Sequence, residues 1–561
     1  MAESKRYADA RGISEVQGAG PISIEVLALH WERIQLVLHL RVEPHGAVPI
    51  ESGALFLAPS DTPHGGSARD VMPATNDTVR GKQRVVRFNV MAGPGQMPLP
   101  PGSWELTARS ERERWPIPVA EGLRRDLVEL SRDFAIPGGR YRVVLRAEPT
   151  GSALFVEVAR EERGASRFRR PSWARTRRWW LGMVRRLRVA LFRTLVGTLR
   201  RVVPRREPLV VFTSDSRETL GGNLKIVHDR MVERGLHHRY RLRTIFKASI
   251  RARRSVRDRL RLTWLMAVAD VIMLDDYQPA IYRLPPDPRV RIIQLWHAWG
   301  AFKTVGYSRV GKRGSLSPYS AVHKNYTHAI VSSPLEVPFY AEAFGIPEDR
   351  VIPTGTPRMD QFLDSERQRQ GRADAVAALP RTRGRFVILF APTFRGAGPR
   401  QAHYAIELLD LPALHRLCVD LDAVLVFKLH PFVKTQLVIP DELGERLVDA
   451  SRLSLDVNDL LLITDLLITD YSSIVFEYST LRRPMLFFAY DLEHYTATRD
   501  FYVPYVEFVP GRIVRTVPEL IDAIRRRDFQ ADKVGPFVER HLPRRDGSAT
   551  DRIIDQLILD R

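Results

Sequence analysis

The chain has 561 residues, 44% of them hydrophobic and 27% charged, with a formal net charge of +21. At ~100–200 residues per domain this length holds several domains, and the composition is that of a globular protein with ample core. The only cysteine, Cys418, excludes an intramolecular disulfide, and its setting in "LHRLCVDL" suits a buried thiol rather than a nucleophile.

The opening "MAESKRYADARGISEVQG" has no apolar core of the signal-peptide kind. Nowhere do ~18 uncharged apolar residues run together, so no membrane-spanning helix is expected. These readings lead to the expectation of a reducing, cytoplasmic setting.

From about Pro21 to Val158 come short alternating runs, "SIEVLAL", "IQLVLHLRV", "RVVRFNV" and "YRVVLRA". Gly, Pro and Asp clusters such as "PSDTPHGG" and "AGPGQMPLPPG" separate them. This predicts an all-β, sandwich-like domain over residues 20–160. Its "GPGQ" suits a turn better than a phosphate loop.

Between Arg163 and Arg206 there are 15 arginines and no acidic residue. Trp180, Val184, Leu187, Leu191 and Leu195 recur at helical spacing, while Arg178, Arg185, Arg186, Arg188 and Arg193 fall elsewhere on the wheel. Residues 161–206 therefore read as a basic amphipathic connector for an anionic membrane surface. A helix docking its stripe on a neighbouring domain is the plainer reading. Nucleic acid is not expected, because the aromatics lie on the apolar face and no nucleic-acid motif accompanies the arginines.

From Leu209 strand and helix alternate. "LVVFTSD", "RLRTIF", "DVIMLDD", "RIIQLWH" and "HAIVSS" form one series, and "RFVILFAPT", "AVLVFKLHP", "DLLITD" and "MLFFAYD" a second. The fold class predicted is α/β, with two doubly wound lobes over 207–375 and 376–561. Polar residues fall where strands end: His297, Thr393, His430, Asp470, Ser472 and Ser473. Ligands bind beyond such ends, so these groups are expected at one cleft between the lobes. The adjacent Asp275 and Asp276 are read as loop residues, since two carboxylates alone are no metal site.

The stretch "DVNDLLLITDLLITDYSSIVFEYSTL" repeats LLITD. The first copy is predicted to finish a helix capped by Asp456, and the second to be a buried strand ending at Asp470. Ser472 and Ser473 then begin the next helix, where free N–H groups and hydroxyls suit an anion. Glu477 follows one turn on. An ordinary helix cap is the bland alternative for "DYSS", as a strand-end histidine is for His297 and a turn for His430-Pro431.

The motifs "QLWHAWGAFKTVGY", "VIPTGTPRMDQF", "ILFAPTFRG", "VFKLHP" and "DLLITDYSSIVFEYSTLRRPMLFF" stand in one order. By them residues 207–535 resemble the CDP-glycerol glycerophosphotransferase family of teichoic-acid synthesis. The resemblance implies a two-lobed fold of GT-B type, acceptor side first and CDP-donor side second. It also implies peripheral attachment to the cytoplasmic face of the cell membrane. The activity implied is transfer of glycerol phosphate, or a related polyol phosphate, from a CDP-activated donor to a membrane-linked precursor, releasing CMP. Arg358, Lys428, His430 and the Ser472-Ser473 helix start are expected to supply the positive groups and N–H donors the pyrophosphate needs, so neither a divalent metal nor a cofactor is expected. Trp296, His297, Ala298, Trp299 and Gly300 would line the donor cleft, and Arg358, Pro392 and Thr393 would contact the donor. Lys428, Leu429 and His430 would face the pyrophosphate, Ser472 and Ser473 would bind phosphate, and Glu477 would hold the ribose. The sequence WHAWGAFK resembles the priming or single-addition form more than the "WHGTP" of many polymerising members.

Histidine suits deprotonation of an acceptor hydroxyl near neutral pH. His297, in the first lobe, is assigned as that base, and His430, in the second, as a donor to the pyrophosphate. A nucleotide-sugar glycosyltransferase on the same fold is the alternative enzyme. A non-catalytic membrane or polyanion-binding scaffold is the alternative of another class, against which His297, His430 and "DYSS" argue.

Overall fold

A computed structural model describes residues 22–44, 55–60, 71–80, 83–93, 96–109, 114–137, 139–147, 153–162, 172–204, 207–312, 315–396, 398 and 400–559. The expectations for residues 1–20, for "PSDTPHGG" beyond Ser60, for Pro94 and Gly95 of "GPGQ", and for the arginines at 163, 167, 169, 170, 205 and 206 lie outside them. Two compact units divide the chain: Met1–Arg188 with Val305–Lys324 and Ala341–Arg350, and Val189–Thr304 with Asn325–Tyr340 and Val351–Arg561.

In the first unit, period-two alternation becomes antiparallel sheet. Strands Ile22–Glu32, Gln35–Pro44, Gln83–Asn89 and Asn76–Arg80 pair in that order. A second sheet centres on Leu55–Pro59, Gly102–Arg109, Leu154–Glu162 and Gly139–Ala147. In Gly139–Ala147, Tyr141, Val143 and Leu145 point inward, while Arg142 faces out to Asp133 and Glu161. Leu36, Leu38 and Phe88 of one sheet share a core cluster with Leu57, Leu106 and Val143 of the other. Tyr307 and Val310 join this cluster although they lie between strands of the α/β series. Glu342 is tied there too, accepting from Arg33 Nε at 2.8 Å.

The second unit holds two six-stranded parallel sheets. The first runs Arg241–Phe246, Leu209–Ser214, Val271–Leu274, Arg291–Gln294, His328–Ile330, Val351–Ile352. The second runs Leu447–Asp449, Ala423–Phe427, Phe386–Phe390, Leu466–Thr469, Met485–Phe488, Arg512–Val514. Strands such as Val271–Leu274 and Ala423–Phe427 are buried throughout, as parallel strands covered on both faces must be. The repeated LLITD resolves as expected: helix Val457–Ile463 is capped by Asp456, and strand Leu466–Thr469 follows.

The last segment, Ala549–Leu559, was placed by sequence with the second lobe but packs on the first sheet. Ile553, Ile554, Leu557 and Ile558 enter the cluster of Val210, Phe212 and Val271, and Asp551 pairs with Arg230 at 2.8 Å. The basic stretch forms helix Ser172–Val202, on which Trp180, Leu187 and Leu191 are exposed. Among the described residues no helix is long and apolar enough to cross a membrane.

Candidate active site

Each parallel sheet reverses its strand order once. The first reverses between Leu209–Ser214 and Val271–Leu274, and the second between Phe386–Phe390 and Leu466–Thr469. Adjacent strands there send their connections to opposite faces, which opens a crevice beyond their carboxyl ends. Pro392 and Thr393 follow one strand of the second reversal, and Asp470 to Ser473 the other. At the first reversal stand Arg217 and the pair Asp275-Asp276, with His297 beyond the next strand.

The backbone at Trp296 is left-handed, with φ 51°. For a bulky L-residue this conformation costs ~1–3 kcal/mol and persists only where neighbours enforce it. Here the Trp296 N–H donates to Gln294 Oε1 (2.9 Å) and its carbonyl accepts from Asn223 Nδ2 (2.8 Å). Asn223 uses its other end to accept the Arg358 N–H at 3.0 Å, so one buried amide ties the His297 loop to the Arg358 helix.

His297 lies in dense surroundings yet keeps one face open, as a cleft-wall side chain does. Its Nδ1 is 3.4 Å from the Asp275 carbonyl. A carbonyl only accepts, so Nδ1 carries the hydrogen and the Nε2 lone pair is left to act. Desolvation pushes the ring below the usual histidine range; Asp276 opposes this, while Arg358 and Arg217 reinforce it. The Asp275 carboxylate pairs with Arg217 at 2.7 Å and is raised to about 6 by burial. The two aspartates read from sequence as loop residues therefore orient the histidine through a carbonyl and bias it through a charge.

Trp296 and Trp299 are buried and build the loop rather than present rings to a ligand, while Ala298 is half-buried. Ser332 Oγ donates to the Trp299 carbonyl, Tyr340 donates to that of Gly300 (3.3 Å), and the buried Glu336 accepts the Ala301 N–H (3.3 Å). Gly300 lies flat on Phe476, where a Cβ would stand 2.2 Å from the ring.

On the second sheet, Asp470 accepts the N–H groups of Thr393 (2.7 Å) and Tyr471 (2.5 Å) and pairs with Arg395 at 2.8 Å. Arg395 also makes a bidentate pair with Asp491, at 2.7 and 2.8 Å, and its guanidinium lies 4.9 Å from the Tyr471 ring centre. This buried knot aligns the two strand-end loops. The backbone of Thr393 is thereby committed, which leaves its hydroxyl as the group it can offer. Pro392 beside it is buried.

His430 clusters with the rings of Phe394 and Phe432, each centred 4.7 Å away. Its Nδ1 accepts the Phe432 N–H at 3.1 Å, so in the neutral ring Nε2 carries the hydrogen. Desolvation, helped by Lys303, keeps the ring below the usual histidine range. The two histidines thus have opposite proton roles at Nε2, a lone pair at His297 and an N–H at His430. Lys428 gives its ammonium to the carbonyls of Ala450 (2.9 Å) and Leu453 (3.0 Å), holding the neighbouring loop. Leu429 is buried in the core, its N–H bound to Ser451 Oγ at 3.0 Å.

Ser472 and Ser473 are half-buried before helix Ile474–Ser479. Ser473 makes no side-chain cap, and Ser472 Oγ takes only a long 3.4 Å contact from the Ile474 N–H. Glu477 is 8% exposed, its Oε2 has no hydrogen-bond partner among the described residues, and burial raises its carboxyl to about 7 against the pull of Arg358. Arg358 therefore acts on both His297 and Glu477, which joins the two halves of the unit electrically. Sequence reasoning missed Asn223, Asp275 and Asp276, Arg395, Lys303 and Glu336 as site-building residues. Arg395 and Lys303 stand inside the motifs "APTFRG" and "WHAWGAFK" and were within reach; the others carry no local signal.

The sequence pattern of the CDP-glycerol:poly(glycerophosphate) glycerophosphotransferase family matches residues 195–559. The chain belongs to this family. It is 45% identical over 367 residues to the teichoic acid ribitol-phosphate polymerase TarL of Staphylococcus aureus, covering 65% of each chain. It is 39% identical over 375 residues to the teichoic acid poly(ribitol-phosphate) polymerase of Bacillus spizizenii, covering 67% of this chain and 60% of that one. The chain thus spans just under two thirds of the length of these relatives. Relatives named for glycerol phosphate match at 28–30% identity. The solved wall teichoic acid polymerase TagF aligns with a TM-score of 0.53 at 22% identity, covering 69% of this chain and 98% of that one, a likeness of mixed α/β fold with several sheets.

Proposed function

We propose that the protein transfers a polyol phosphate from a CDP-activated donor to a hydroxyl of a membrane-linked teichoic-acid precursor, releasing CMP. The observation that carries this reading is the opposed pair of imidazoles within one unit. His297 Nε2 takes the acceptor proton as the acceptor oxygen bonds to the phosphorus of the polyol phosphate. His430 Nε2–H donates to the pyrophosphate as the bond from that phosphorus to the CMP oxygen breaks. Arg358, Thr393 and the hydroxyls of Ser472 and Ser473 contact the phosphates, and the unpartnered Glu477 oxygen holds the ribose.

On this reading the two parallel sheets are GT-B lobes, with residues 207–375 on the acceptor side and 376–561 on the donor side, the last segment excepted. The two antiparallel sheets form a sandwich-like domain over 20–160. Helix Ser172–Val202, in the 161–206 connector, rests on the cytoplasmic face of an anionic membrane, with its apolar stripe toward the lipid. The higher identity to ribitol-phosphate relatives favours ribitol phosphate over glycerol phosphate as the group moved.

The test is incubation with CDP-ribitol, CDP-glycerol and a panel of nucleotide sugars beside a lipid-linked teichoic-acid acceptor. CMP release should be fastest with CDP-ribitol, and product length separates single from repeated addition. Turnover of a nucleotide sugar with no CMP formed from either CDP-polyol would overturn the proposal.

A further inference from the structure

We infer that Lys303 is a substrate-binding residue of this site, and that its ammonium holds the donor phosphate that becomes the transferred group. The inference rests on the CDP-donor reading above. Lys303 follows the His297 loop in the first half of the unit, yet its backbone pairs with Phe501 in the second. Tyr502 N–H donates to the Phe302 carbonyl (3.1 Å) and Thr304 N–H to that of Asp500 (3.3 Å), so the lysine is pinned from both sides.

From this anchor Nζ lies 5.6 Å from the Tyr495 ring centre, near Asp470, Arg499, Arg395 and His430. The side chain is densely enclosed with only part of its surface open. Among the described residues its ammonium donates no hydrogen bond and makes no ion pair. Asp470, the nearby carboxylate, is already taken by Arg395 and two backbone N–H groups. Arg395 is satisfied by Asp470 and Asp491, and Arg499 gives a hydrogen to the Gly396 carbonyl (3.1 Å).

An enclosed, unpaired ammonium is costly unless an anion completes it. Desolvation accordingly lowers Lys303 to about 8, with Asp470 opposing this and Arg499 and Arg395 reinforcing it. Lys428, the lysine read from sequence as the phosphate contact, is committed to two carbonyls. Lys303 is near enough to His430 to act on it electrostatically, and it supplies the cation that Lys428 does not. It forms no covalent bond; it balances charge on the non-bridging oxygens while the acceptor oxygen bonds to phosphorus and the bond to CMP breaks.

The test uses CDP, which carries the second phosphate, and CMP, which lacks it, as calorimetric probes of the full-length protein. The wild type should bind CDP more tightly than CMP. Lys303→Met should remove most of that gap, about tenfold or more for a charged hydrogen bond, and leave CMP affinity unchanged. Lys303→Arg should keep the gap. For the wild type, CDP affinity should fall as pH rises past about 8 while CMP affinity does not, since the free ammonium loses its proton there. That arm needs no variant to fold. Tyr495, whose ring lies beside the ammonium, is displaced upward by burial, well out of this window, and His430, held below the usual histidine range, is neutral throughout it. A gap that survives in Lys303→Met, or CDP affinity flat to pH 9.5, refutes the role of Lys303. Failure of the wild type to bind either nucleotide refutes instead the CDP-donor reading.

Discussion

A carbonyl beside one imidazole and an N–H beside the other decide which proton each histidine can move. His297, with Nδ1 donating to Asp275, can accept at Nε2; His430, with Nδ1 accepting from Phe432, can donate at Nε2. His297→Ala should cut the single-turnover rate by ~10²–10⁴-fold and leave affinity for a CDP-polyol nearly intact, since a base acts in the transition state. His430→Ala should lower the rate through lost transition-state charge stabilisation, and donor affinity as well if the proposed N–H contact to the pyrophosphate already exists in the ground state. Loss of donor binding in His297→Ala with binding kept in His430→Ala would reverse the roles. The sign of the pH effect follows from desolvation. Because burial depresses the His297 pKa, the neutral base persists below pH 6.5, and the rate should fall only as pH drops through that lowered value.

Helix Ser172–Val202 places Trp180, Leu187 and Leu191 on one exposed stripe, at 58%, 58% and 61%. Arg185, Arg186 and Arg188 are exposed around them. An apolar stripe flanked by arginines matches a surface that is apolar below and anionic above. Each basic residue near such a surface contributes ~1 kcal/mol, and salt screens the attraction. In vesicle flotation the protein should bind in proportion to anionic lipid and come off as salt rises. Equal binding to neutral vesicles at all salt concentrations would leave the electrostatic account without support.

The two parallel sheets of the second unit are joined by one aromatic seam. Phe302 stacks on Phe508 (4.5 Å) and meets Phe501 at a tilt (4.9 Å), and Trp299, Phe302, Met359 and Phe362 share a core cluster with Phe476, Tyr505 and Phe537. A hinge at this seam would tear a packed core, so this unit should unfold as one body. Phe302→Ala should destabilise it by ~3–5 kcal/mol, the usual cost of deleting a buried ring. In native-state hydrogen exchange, strands of both sheets should lose protection together. Loss confined to one sheet would show the halves to be independent.

Local order was legible in the residues alone. Apolar runs of strand length marked Leu209–Ser214, Phe386–Phe390, Ala423–Phe427 and Leu466–Thr469, and polar residues at their ends singled out the candidate site. Periodicity and end chemistry are properties of neighbours in sequence, so His297, Thr393, His430 and "DYSS" could be chosen without coordinates. Partnerships between distant residues could not. That Asp470 holds Arg395, that an Asp275 carbonyl selects the His297 tautomer, and that Lys428 spends its charge on carbonyls all depend on strand order and register. For the same reason Tyr307 joins the β-rich core and Ile553 to Ile558 return to the first sheet. An apolar side chain records only that it must be buried, and the completed fold decides against what.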